Sequence, residues 1–157
     1  MPDRLSAGPP ADGLAYLRAV AAGEAAQPPA AATLGFELRL AEPGRAELGF
    51  VPAAAHLNPI GIVLGGVCSA VCDAACGCAV LSVLPPGARH TTQNLNVSFV
   101  REVTVRSGPM TCAASVLRIG RRTALAQASL ADAGGRLHVH ATSTFVVTPP
   151  DDAAELR

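Results

Sequence analysis

The chain has 157 residues, half of them apolar, with a mean hydropathy of +0.34. That length favours one domain with a real core, and that composition excludes a disordered, solvating chain. Twelve basic residues, all arginine, balance twelve acidic ones at a pI near 6.9, so the sequence lacks the electrostatic footprint of a nucleic-acid or membrane-surface protein.

Residues 1–32 are rich in Ala, Pro and Gly and are expected to form a short helix, with Leu14, Leu17, Val20 and Ala21 on one face, followed by an Ala/Pro linker. The domain proper is expected over residues 33–148, with 149–157 as a tail. Leu34, Phe36, Leu38 and Leu40 alternate with polar residues, Glu42-Pro43-Gly44-Arg45 supplies a turn, and Ala46-Leu48-Phe50 resumes the alternation, which predicts a hairpin. A Pro- and Gly-bearing loop from His56 to Leu64 leads into an apolar run predicted to be a helix over 65–83, ended by Pro85-Pro86-Gly87. Asp73 near its middle argues for a buried helix of a soluble protein, not a membrane span. Four strand patterns follow at Leu95–Phe99, Met110–Val116, Ala124–Ala131 and Leu137–Val147. Strands in direct succession imply an antiparallel α+β sheet curled around the one long helix.

The five cysteines do not suit a disulfide framework: the count is odd, and four crowd into Cys68, Cys72, Cys76 and Cys78. No stretch resembling a signal peptide opens the sequence, so free thiols in a reducing cytoplasm are expected. A metal site is not expected. The cysteine stripe lacks the usual pairing and a fourth ligand, and His138-x-His140 offers only two imidazoles on what the alternation makes one solvated or subunit-facing strand face.

The helix carries two features with chemical content. It starts at Gly65-Gly66, where unpaired N–H groups and the helix dipole can hold an anion or a developing oxyanion without a Cβ in the way. Its interior holds Asp73, and a carboxylate in an apolar helix must be paired, protonated or functional. Eight positions separate the two, about 12 Å along the axis, so they cannot act on one carbonyl within a single chain. If they cooperate, one subunit supplies the amides and another the carboxylate, as a two-fold pairing of antiparallel helices would allow. A polar Asp at a helix–loop contact and a Gly pair that eases packing remain the plain alternative.

The run His56-Leu57-Asn58-Pro59-Ile60-Gly61-Ile62-Val63-Leu64-Gly65-Gly66, followed by Asp73-Ala74-Ala75-Cys76-Gly77, resembles the signature of PaaI-type acyl-CoA thioesterases of the hotdog fold. That signature runs Asn-x-x-Gly-x-x-His-Gly-Gly, with an acidic residue on the following helix. Thr92 to Arg101, Gly120-Arg121-Arg122 and the closing Ala141 to Phe145 extend the resemblance over about residues 33–148. It implies a curved antiparallel sheet around a long helix, assembled as a homodimer or homotetramer and acting on an acyl-CoA or acyl-carrier thioester without a cofactor. It implies an oxyanion-hole N–H at Gly65, a base or nucleophile at Asp73, and a thioester- or water-ordering amide at Asn58. Gly66 and Thr92 would flank the substrate and the carboxylate, and Arg121 and Arg122 would lie where the phosphates of CoA can dock.

One position departs from the pattern. Leu64 stands where the family motif has His, and a lost donor costs roughly 2–4 kcal/mol where it acts in the transition state. His56 is positioned to fill some of that space, though a loop His is ordinarily a surface residue. Leu64 motivates a second reading, an acyl-CoA or small-ligand binding module with little turnover. A hydratase or dehydratase is a third, disfavoured because no His pairs with Asp73 on the approach to the helix.

Overall fold

The computed structural model describes residues 12–150. Helix α1 (Gly13–Ala21) is capped by the Asp12 carboxylate, which accepts from the Ala15 amide at 3.0 Å, and it buries Leu17 and Val20 against strand β1 (Phe36–Glu42). The segment expected to be an Ala/Pro linker contains a second helix, α2 (Pro29–Leu34). Pro29 suits its first turn, and Gly35, at φ +70°, stops it in the left-handed conformation that favours glycine. The Gln27 amide accepts from the Leu38 N–H at 3.1 Å and donates to the Leu38 carbonyl at 3.3 Å, fastening this segment to the edge of β1.

Strand β2 (Arg45–Phe50) completes the predicted hairpin. Helix α3 (Gly65–Leu81) follows, then β3 (Arg89–Phe99), β4 (Met110–Ile119), β5 (Thr123–Asp132) and β6 (Leu137–Thr148). All pairings are antiparallel, and one six-stranded sheet runs β1-β2-β4-β5-β6-β3. The sheet curves around α3, the hotdog arrangement that the sequence implied. Helix α3 ends two residues before the predicted boundary, where Ser82 Oγ donates to the Ala79 carbonyl and accepts from the Gly44 amide.

Cys68, Val71, Cys72, Ala75, Cys76, Ala79 and Val80 of α3 are buried, and they face small sheet residues such as Ala114, Ala126 and Ala128 with Phe50, Leu48, Met110, Leu130 and Phe145 filling the larger spaces. Small residues on the sheet let the helix sit close, so the core closes with few aromatics. No helix among the described residues is long and apolar enough to cross a membrane.

Strand β3 contains a register shift between Thr92 and Asn94, so Gln93 is an extra residue opposite β6. Before it, His90 and Thr92 pair with the buried Val147 and Phe145; after it, Leu95, Val97 and Phe99 pair with the buried Ser143, Ala141 and Val139. The set facing α3 thus switches from even to odd numbers at the bulge.

Candidate active site

The N-terminus of α3 is an open donor end. Leu64 is its N-cap residue and provides no side-chain cap, and the Gly65 and Gly66 amides have no backbone partner among the described residues. The preceding loop is pinned: Asn58 Oδ1 accepts from the amides of Ile60 and Ile62, both at 3.1 Å, and the Leu64 amide donates to the His56 carbonyl at 2.8 Å. With its oxygen committed to the loop, Asn58 has its NH2 left to offer a ligand. Asn58, Gly65, Phe99 and Arg101 line one cavity of about 340 Å³. A Cβ at Gly65 would lie 2.9 Å from Phe99 Cζ, so any larger residue here requires that exposed ring to shift.

Asp73 lies on a different wall. It lines a second, mainly apolar cavity of about 340 Å³, together with Thr92, His90, Gly77, Phe145 and residues of α1 and β1. Thr92 Oγ1 donates to Asp73 Oδ1 at 2.9 Å, which orients the carboxylate and leaves Oδ2 uncommitted among the described residues. Within one chain, the amides and the carboxylate therefore open into separate cavities, as the spacing along α3 requires.

His90 was not singled out in the sequence. It precedes Thr92 by two residues on β3, so both side chains face α3, and its ring packs edge-on against Phe145 with centroids 5.3 Å apart. Burial lowers its pKa, opposed by the nearby Asp73 charge, which favours a neutral imidazole in the cavity wall. The available signal was its period-two relation to Thr92, hidden because the alternation breaks at Gln93.

The other expected residues are dispersed. His56 is buried, not at the surface, with its ring 5.5 Å from that of Phe50 and its Nδ1 accepting from the Ala53 amide. It braces the loop from behind. Leu64 is 54% exposed at the mouth of the helix start. Arg121 and Arg122 occupy the turn between β4 and β5, whose first β5 residue, Thr123, pairs with Val146. Phe99, beside Gly65, pairs with Val139, seven residues away along β6, or about 23 Å. Those two arginines thus sit at the Asp73 end of their own chain.

His138 and His140 do not converge on a common partner. His138 bonds Asp132 and the Glu102 carbonyl, while His140 meets Ser129 Oγ at 3.2 Å. No group of three metal-binding side chains occurs among the described residues. All five cysteines are free, and Cys72 and Cys112 approach at 3.9 Å between sulfurs. Burial pushes the Cys68 and Cys78 thiols up to about 11 and Cys76 to about 12, so they serve as small apolar core groups and not as nucleophiles.

Comparison with known proteins agrees with this architecture. A sequence model of the thioesterase superfamily matches residues 60–139, which include the helix start, Asp73 and Thr92. The fold matches a phenylacetic acid degradation-related protein of Ralstonia eutropha JMP134 with a TM-score of 0.75 and 34% identity, over 83% of this chain and 98% of that one. It also matches a thioesterase family protein of Silicibacter pomeroyi (TM-score 0.74, 27% identity, 83% of this chain and 97% of that one). A single-residue variant of the phenylacetic acid degradation protein PaaI from Thermus thermophilus shares the fold at 23% identity (TM-score 0.68, 76% of this chain and 98% of that one). No curated protein sequence matches the chain. The fold is that of hotdog proteins. The chain belongs to the thioesterase superfamily.

Proposed function

We propose that the chain hydrolyses an acyl-CoA or acyl-carrier thioester to a carboxylic acid and a free thiol, as a cytoplasmic homodimer or homotetramer. The observation that carries this reading is the Asp73–Thr92 hydrogen bond, a carboxylate held in one orientation at the mouth of a cavity on an otherwise apolar helix. The thioester carbonyl oxygen accepts from the Gly65 amide of one subunit, with the Gly66 amide and the Asn58 NH2 alongside and the dipole of α3 behind them. Asp73 of the partner subunit acts from the other side. As a base, it takes a proton from water while the water oxygen attacks the carbonyl carbon. As a nucleophile, its oxygen forms the new bond and gives a mixed anhydride that water then opens. On either route the C–S bond breaks, and the thiolate leaves and takes up a proton. The separate cavities of Gly65 and Asp73 support a shared site, because a second copy running antiparallel would bring each to the other.

A specific observation favours the binding-module alternative. Leu64 has no hydrogen bond to offer at a position beside the oxyanion site, and it is half exposed there. A panel of acyl-CoAs in a thiol-release assay separates the two. The thioesterase reading expects release that Asp73→Asn abolishes without altering fold or assembly. Binding without release, or an Asp73→Asn variant at the wild-type rate, would overturn it.

A further inference from the structure

Three arginines meet in a cavity that the proposed chemistry leaves unused. Arg101, Arg106 and Arg136 line a cavity of about 390 Å³ with Thr104, Ser107, Glu102, Asp132 and His138. Arg101 and Glu102 also line the cavity of Gly65 and Asn58, so the two cavities are neighbours on either side of these two residues. We infer that this arginine pocket binds the phosphate of the thioester's phosphorylated pantetheine handle. The inference rests on the thioesterase reading for the identity of the ligand.

The backbone under each arginine is held. Asp132 Oδ1 accepts from the amides of Gly134 and Arg136, both at 3.0 Å, and Asp132 Oδ2 takes Arg136 Nε at 2.8 Å, leaving the terminal NH2 groups of Arg136 for another acceptor. Arg101 Nη1 donates to the Leu137 carbonyl, and its backbone amide to the His138 carbonyl. Arg106 lies on a short 3-10 turn, Val105–Ser107, fixed by the Thr104 amide donating to Ser107 Oγ at 3.0 Å. His138 Nδ1 meets the Glu102 carbonyl at 2.9 Å, tying β6 to this segment. The Val63 amide donates to the Val103 carbonyl at 2.8 Å, so the pocket is also tied to the loop that delivers Gly65. A ligand anchored here would reach the helix start at a fixed offset.

The charge balance suits an anion. Asp132 is already engaged by Arg136 and His138, and those hydrogen bonds, led by the Arg136 amide, hold its carboxyl down to about 2. Against the two carboxylates of the lining, Asp132 and Glu102, the three guanidiniums leave one positive charge in excess. Planar guanidinium forks match phosphate oxygens in pairs. Arg121 and Arg122, the pair that the family resemblance offered for CoA phosphates, lie at the Asp73 end of the same chain's sheet, so a shared site would receive them from the other subunit.

The test compares KM for acyl-CoA, acyl-4′-phosphopantetheine and the N-acetylcysteamine thioester of the same acyl group, using wild type, Arg106→Gln and Arg106→Glu. Arg106 carries no ion pair among the described residues, so neither change removes an internal contact. The inference expects KM to rise about tenfold for Arg106→Gln, and further for Arg106→Glu, on phosphate-bearing substrates, with the N-acetylcysteamine thioester unaffected. An effect on both acyl-CoA and acyl-phosphopantetheine assigns the pocket to the phosphate that carriers share. An effect on acyl-CoA alone overturns that assignment in favour of the nucleotide phosphates. Unchanged KM on both, or an equal rise on the phosphate-free thioester, overturns the inference while leaving hydrolysis intact. If wild type hydrolyses none of the three, the thioesterase reading fails, and titration with CoA still decides the pocket: weaker binding to Arg106→Glu supports it, and equal binding refutes it.

Discussion

Replacing Gly65 with alanine tests the oxyanion site with one methyl group. The added Cβ would lie 2.9 Å from Phe99 Cζ, closer than real contacts allow, and 3.3 Å from Cε1, a tight one. Phe99 is more than half exposed and shares a cavity with Asn58, so its ring can swing aside at the helix start. Overpacking costs about 1–3 kcal/mol and alanine regains up to about 1 kcal/mol of helix propensity, so the net loss is about 0–3 kcal/mol, at the low end if the exposed ring yields. Catalysis should change far more. A methyl group and a displaced ring at the amide that receives the carbonyl oxygen remove one donor, about 2.7–4 kcal/mol or a 10²–10³-fold fall in kcat. Gly66→Ala is the internal comparison, because its Cβ meets only Leu64 Cδ2 at 4.0 Å, and its loss should stay below about tenfold. The assay is thiol release at saturating acyl-CoA, with thermal melts and size measurements to establish fold and assembly. A folded Gly65→Ala variant with kcat within about threefold of wild type would refute the assignment of this amide.

Three further outcomes follow from particular contacts. Thr92→Ala removes the hydrogen bond that orients Asp73 and should lower kcat about tenfold, with Thr92→Ser restoring most of it; equal rates would show that Thr92 is idle. The Asp132 carboxyl titrates near 2 in the fold against about 3.9 in an unfolded chain, so its ionised form stabilises above about pH 4 and that contribution is lost as pH falls through 2. Asp132→Asn should accordingly lower Tm at neutral pH, with the deficit shrinking below about pH 4; a deficit that is constant with pH would contradict this. Native protein should react with iodoacetamide only slowly at about pH 8, because burial holds Cys68, Cys76 and Cys78 at about 11 to 12, whereas unfolded protein should take up five equivalents; rapid labelling of the native state would refute the core assignment.

The main elements were legible because their periodicities are local. Alternation marked β1, β2, the second half of β3, β4, β5 and β6, and an all-round apolar run with a Gly pair and a Pro pair at its ends marked α3. The Asp73–Thr92 relation was legible only through family resemblance, since nothing in the spacing of two residues nineteen apart says that they touch. Helix α2 escaped because an Ala/Pro tract reads as linker; its stability comes from Gln27 and Gly35 holding both flanks. The arginine pocket was hidden for a different reason. Arg101, Arg106 and Arg136 come from two connections that only the β3–β6 pairing brings together, whereas Arg121 and Arg122 are conspicuous as sequence neighbours.

Gln93 makes no side-chain hydrogen bond among the described residues, yet it keeps two working groups in phase. Removing it would leave β3 with an unbroken alternation, and a strand with a strict period of two can present only one parity to α3. Either Thr92 would turn away from Asp73, or Leu95 and Val97 would be driven off the core and Phe99 off Gly65. Surface connections can lengthen or shorten without such an effect, so β3 tolerates change in side chains far better than change in count. The spare residue works like a leap day, an insertion that keeps two calendars aligned.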